Sequence, residues 1–278
     1  MITSVNYALF GQCPEGLEAM VKTAKWAGYD GIEASAAQVE AYGIAATNSL
    51  LAQTNMQITA FALPWNPIQA DEEANAAALA ALDAQAETMA AVGCKLCYTF
   101  VRSCSHDLPL EENWEFHVKR FCPIAAVLQQ HGVRLALEFI GPLTSRKSRK
   151  YPFIYTAEEL LKLCNACGEN CGLLFDAWHW YSGANNRDVF ENIGGAEHIY
   201  LVHLNDAQDG DPALLPDKPR ALAGETGNID LQFVVGKLKK YGYCGPVISE
   251  SFSPTLQTVK TLEEKLVLTR QALRKTLE

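Results

Sequence analysis

Short apolar runs alternate with longer stretches of helical spacing along the whole chain. The apolar runs at 2–9, 31–34, 58–63, 95–101, 133–139, 172–176, 199–204 and 246–250 predict eight strands. Between and after them, apolar residues recur every three or four positions, as with Leu17, Met20, Val21 and Ala24. That period predicts helices over 14–27, 38–54, 71–91, 111–130, 156–166, 187–193, 231–241 and 258–277. Local punctuation agrees. Pro14 suits a first helical turn, Gly28, Gly93 and Gly132 suit helix stops, and Thr156 with Glu159 has the capping-box spacing.

Eight strand–helix units in 278 residues, about 35 residues each, leave no Pro-, Gly- or Ser-rich linker between them. They predict one α/β domain, residues 1–278, folded as a (β/α)8 TIM barrel. A doubly wound open sheet fits less well, because GQCPEG after the first strand is no G-x-G-x-x-G phosphate turn.

Composition narrows the function. A formal charge of −9 argues against nucleic acid as the main partner, since a phosphate backbone selects basic surfaces. No apolar run is long enough to span a bilayer, and the first ten residues, MITSVNYALF, lack a secretory pattern. Nine cysteines, an odd number in a chain of this size, point to reduced thiols and a cytoplasmic location.

In a barrel the chemistry gathers at the carboxyl ends of the strands. The last four predicted strands each carry a metal-capable side chain near that end: Glu138, Asp176, His203 and Glu250. Each sits among apolar residues, where a carboxylate is costly unless paired, protonated or bound to a cation. Singly, such a residue is more often a helix cap or a hydrogen-bonded core group. Together they converge, and three carboxylates with one imidazole suit a hard or borderline divalent ion. Mn2+ is the first expectation, with Mg2+, Co2+ and Zn2+ as alternatives.

The segments ALEFIGP (136–142), DAWHW (176–180), VHLND (202–206) and ISESFSP (248–254) resemble the sugar isomerase/epimerase superfamily with a xylose-isomerase-like barrel. Within it they are most similar to the inosose (2-keto-myo-inositol) isomerases, and GYDGIEA (28–34) resembles the family's second strand. The resemblance implies one divalent ion on Glu138, Asp176, His203 and Glu250, with Glu138 and Glu250 acting as acid and base across the substrate. It implies that His179 and Arg220 hold substrate oxygens and that Asp206 supports His203 from behind. Trp178, near a strand end, is expected against the substrate.

The chemistry agrees with that implication. Moving a carbonyl to the next carbon, or inverting a centre beside it, requires removal of a weakly acidic C–H proton through an enediolate. A divalent ion stabilises such a species, and two carboxyl groups move the proton. The expected activity is therefore a metal-dependent isomerase or epimerase of a sugar or cyclic polyol ketone, inosose first. The alternatives are a ketohexose 3-epimerase, or a lyase such as a dehydratase or a 3-keto-glycoside-cleaving enzyme. The partner is a small molecule, and a homo-oligomer is compatible with this reading.

The loop 143–152, LTSRKSRKYP, departs from the pattern by placing Arg146, Lys147, Arg149 and Lys150 in an acidic chain. It reads as a solvated loop or as a grip on an anionic or larger substrate. Cys164, Cys167 and Cys171 lack a fourth ligand and read as buried small hydrophobes.

Overall fold

In the computed structural model, which describes residues 1–278, eight parallel strands follow one another around a closed barrel. They are β1 (Ile2–Val5), β2 (Gly31–Glu33), β3 (Gln57–Ala62) and β4 (Leu96–Val101), then β5 (Arg134–Phe139), β6 (Cys171–Asp176), β7 (Ile199–His203) and β8 (Pro246–Ile248). Each pairs with its neighbours in sequence, and β8 closes on β1 with Ile2 opposite Pro246. Parallel neighbours need a crossover, and the helical segments supply it. No helix is long and apolar enough to cross a membrane.

Two apolar clusters follow from the alternation of side chains along a strand. A large cluster of 66 buried residues lies where strand and helix faces meet. A separate cluster of seven includes Ala60, Leu96, Ala136, Leu174, Leu201 and Ile248, one from each of β3 to β8, and plugs the barrel interior. Two residues further along the chain, the same faces present Tyr98, Glu138, Asp176, His203 and Glu250. The candidate ligands thus form the layer above the apolar plug, at the carboxyl ends.

Several boundaries differ from those expected, each for a local reason. β1 stops at Val5, because the Asn6 side chain accepts the Ala8 N–H (2.9 Å) and starts a 3-10 turn over Tyr7–Phe10. The first helix begins at Gly16 behind Glu15, so Pro14 precedes it instead of opening it. The helix expected over 38–54 is two, Ala36–Tyr42 and Ile44–Thr54, broken at Gly43 with φ 94°. After β6 the chain turns at once into Ala177–Ser182, and the helix expected over 187–193 shrinks to Val189–Asn192. The helix expected over 258–277 starts at Leu262, opened by a Thr261–Glu264 capping box, and a separate short helix, Pro254–Thr258, precedes it. β8 ends at Ile248, which leaves Glu250 on the following loop. A two-residue antiparallel pairing of Cys104–Ser105 with Tyr151–Pro152 ties the basic loop to the segment after β4.

Candidate active site

Strand register decides how the four side chains meet. β5 pairs Glu138 with Leu174, β6 pairs Asp176 with His203, and β7 pairs His203 with Ile248. The inward layer therefore brings one ligand atom from each of Glu138, Asp176, His203 and Glu250 within 4.8 Å of one another. His203 Nδ1 lies at the centre, 3.4 Å from Glu138 Oε1, 3.4 Å from Glu250 Oε2 and 3.6 Å from Asp176 Oδ2. Both His203 Nδ1 and Glu138 Oε1 are buried without a hydrogen-bond partner.

Asp176 combines both roles that its sequence position allowed. Its Oδ1 accepts the N–H of Trp178 (2.6 Å) and of His179 (3.2 Å), capping the helix Ala177–Ser182. Its Oδ2 takes Arg220 Nη1 at 2.9 Å. The same Nη1 reaches Glu250 Oε2 at 2.6 Å, while Nη2 binds Asp217 Oδ1 at 2.8 Å. Arg220 is thus a buried clamp on three carboxylates, and it lines the cavity as well.

These contacts set the electrostatics. Burial pushes the pKa of Asp176 up, but Arg220 and the facing histidines more than reverse this and hold it below the ordinary range. Burial also pushes Glu250 up, and Arg220 together with His203 brings it below its ordinary value. Glu138 goes the other way, raised by burial and by the Glu250 carboxylate beside it. His203 is desolvated, yet the three carboxylates around it raise its pKa well above the usual imidazole value.

The remaining expected residues are placed as follows. His179 lines the cavity, with Nε2 3.9 Å from Glu138 Oε1 and 3.3 Å from Arg220 Nη2. Gly141 makes room for it, since a Cβ there would collide with the His179 carbonyl oxygen. Trp178 does not face the cavity. It is 1 % exposed, and its indole N–H donates to Asp217 Oδ1 at 3.2 Å, so it braces the residue that braces Arg220. Asp206 does not reach His203 either. It accepts the backbone N–H groups of Ala207, Thr226, Gly227 and Ile229 and so shapes the 222–229 loop. Its neighbour Asn205 supports a different ligand, Asp176, with Nδ2 3.3 Å from both carboxylate oxygens.

Glu33 was missed, although GYDGIEA contains it and its place at a strand end among apolar residues matches the other three acids. It is 7 % exposed, accepts the Tyr98 hydroxyl at 2.7 Å, and has its other oxygen buried and unpartnered. Burial, only partly offset by His203 and Tyr98, raises its pKa from 4.5 to about 7. A carboxyl that binds its proton more tightly when folded makes stability fall as pH rises from 4.5 to about 7. From that shift we expect Glu33→Gln to remove about 3 kcal/mol of stability loss over this interval. Urea midpoints of both ion-free proteins between pH 4.5 and 8 check it, and parallel pH profiles would contradict it.

Residues 21–275 match the family described as the xylose isomerase-like TIM barrel. The chain belongs to this family. An inosose isomerase of Bacillus velezensis is 29 % identical over 148 residues, 51 % of this chain and 50 % of that one. The chain spans about half the length of the curated relatives it matches. Among solved structures, a xylose isomerase domain protein from Alicyclobacillus acidocaldarius superposes with a TM-score of 0.86 at 26 % identity, covering 100 % of this chain and 98 % of that one. The IOLI protein, solved with a zinc atom, has the same fold at TM-score 0.81 and 21 % identity, with 100 % and 98 % covered.

The family chain's own atoms fit a divalent cation. With His203 neutral, as a metal donor must be, Glu138, Asp176 and Glu250 bring three negative charges and Arg220 one positive, so −3 + 1 leaves −2 in a largely buried layer. The orphaned Glu138 Oε1 and His203 Nδ1 are both good cation donors.

Proposed function

We infer that this protein is a divalent-metal-dependent isomerase or epimerase of a sugar or cyclic polyol ketone, with an inosose as the first candidate substrate. The observation that carries the reading is the largely buried cluster of three carboxylates and one imidazole at the carboxyl end of the barrel. It opens on a cavity of about 520 Å³, a small-molecule site. The inosose isomerases that match half of the chain support the substrate class.

Glu138, Asp176, His203 and Glu250 would hold the ion, and the oxygen-rich set favours Mn2+ over softer choices. When bound, the ion supplies a Lewis acid that draws charge from the substrate's carbonyl and hydroxyl oxygens. Glu138 on β5 and Glu250 just past the end of β8 stand three strands apart in a ring of eight, so they approach a substrate from different sides. One carboxylate takes the proton from the carbon beside the carbonyl, and the other carboxyl group returns a proton on the neighbouring atom. Arg220 fixes the Glu250 carboxylate through Oε2, and His179 offers Nε2 to a substrate oxygen next to Glu138. The apolar plug beneath keeps water from entering below.

Metal analysis joined to proton NMR in D2O tests the reading, using inososes, ketohexoses and 3-keto-glucosides. Deuterium entering beside the carbonyl, with an isomeric product and no lost fragment, is expected. Loss of water or an aglycone would make the protein a lyase, and inertness with a metal-loaded protein would overturn the reading.

A further inference from the structure

The active-site cavity has an outer wall that the chemistry above does not use. Arg102, Ser103 and Lys218 line it, together with Thr144, Ser145 and Ser148 of the basic loop. Neither Arg102 nor Lys218 has a carboxylate within ion-pair distance. Their charged groups lie instead over aromatic rings, Arg102 at 5.5 Å from the Phe100 centroid and Lys218 at 3.6 Å from that of Phe252. The one acid in that part of the wall, Asp217, is already matched by Arg220 Nη2 (2.8 Å) and the Trp178 indole N–H (3.2 Å). Ser103 is 1 % exposed and its hydroxyl has no hydrogen-bond partner, although most buried hydroxyls find one.

The loop behind this wall adds to the imbalance. Arg146 and Lys150 lie over Tyr155 and Tyr151, at 4.1 and 4.4 Å, and neither forms an ion pair. Arg146 Nε is buried and unpartnered as well. In a chain of net charge −9, the unpaired cations Arg102 and Lys218 thus share one cavity wall.

We propose that Arg102, Lys218 and the Ser103 hydroxyl bind an anionic group carried by the substrate away from its carbonyl, a phosphate ester or a carboxylate. A guanidinium fork and an ammonium recognise either anion, and the desolvated serine hydroxyl has a donor free for it. This deepens the proposed function and rests on it: the ketone would be an anionic sugar or polyol derivative.

Calorimetric titration of the metal-loaded protein tests this apart from turnover, with a ketohexose, its 6-phosphate, a keto-hexonic acid and inorganic phosphate as probes. At low salt one of the two anionic ketones is expected to bind about tenfold or more tighter than the neutral one, from one or two charged hydrogen bonds. Whichever gains identifies the anion, and added salt should shrink the gain. The double variant Arg102→Gln/Lys218→Gln should lower the ratio of anionic to neutral affinity about tenfold, and Ser103→Ala should lower it less. Equal affinity for all three ketones, or a preference and phosphate binding that survive the double variant, would overturn the proposal. Anion binding lost in that variant, with no ketone turned over, would support this site and sink the isomerase reading. Turnover of neutral ketones without any anionic advantage would do the reverse.

Discussion

Glu138→Gln and Glu250→Gln will each reduce deuterium incorporation beside the substrate carbonyl by about 10²- to 10⁴-fold, the range that a positioned proton-transfer group contributes. An amide has nearly the shape of the carboxyl it replaces but cannot accept and return the proton. The two losses will not multiply in the double variant, because both groups serve one proton path. Each glutamate also faces His203 Nδ1 at 3.4 Å, so each substitution removes one donor from the cluster. Ion content measured beside the rate separates the two effects. A variant that keeps its ion and loses turnover has lost proton transfer, and one that keeps near-normal exchange with its ion bound would end the mechanism.

Arg220→Gln will cost about 3–5 kcal/mol of stability in the ion-free protein, the usual result of removing one partner from a buried charged set. The guanidinium is 2 % exposed and binds Asp176 Oδ2, Glu250 Oε2 and Asp217 Oδ1, so its loss strands carboxylates in the barrel layer. For a chain of this length a fall in Tm on the order of 10 °C follows. Divalent ion should restore part of it, because a cation between Asp176 and Glu250 supplies the missing charge. Arg220→Lys keeps the charge but loses the fork, and should fall between. The sign with pH is set by the lowered values of Asp176 and Glu250. Their contribution in the wild-type protein is complete above the ordinary carboxylate range and disappears as pH falls through the folded values. The variant should therefore lose less on acidification than the wild-type protein. Scanning calorimetry with chelator and with Mn2+ checks all three points, and a penalty under about 1 kcal/mol would show that the clamp is dispensable.

Much of the site was legible because barrel geometry repeats a local rule. In LAL-E-F, LLF-D and YLV-H, the polar residue stands two positions beyond an inward apolar residue: Ala136 then Glu138, Leu174 then Asp176, Leu201 then His203. Ile248 and Glu250 continue the rule past the end of β8. Tyr98 obeys it too, two positions past Leu96, whereas Glu33 follows Gly31 and has no inward apolar residue before it. Helix breaks were less legible. Gly43 divides a stretch whose apolar spacing continues on both sides, and its φ of 94° is a property of the packed turn. The basic loop gave away its charge but not its orientation. Its hydroxyls line the cavity, while Arg146 and Lys150 turn onto tyrosine rings.

Strand count, helix period and the four strand-end ligands are local matters, dictated by alternation and by what each few residues can bury. They were therefore determined by the sequence alone, down to the barrel and its charged layer. Loop side chains answer to partners tens of residues away, and no spacing rule governs those meetings. Only the tertiary structure decided that Arg220 clamps Asp176 and Glu250, that Asn205 and not Asp206 supports the site, and that Trp178 stands behind Asp217. Likewise Arg102, Ser103 and Lys218 share one cavity wall because the segments after β4 and β7 close over the same barrel mouth. Polar groups in those loops take whichever buried partner the closed ring sets within reach.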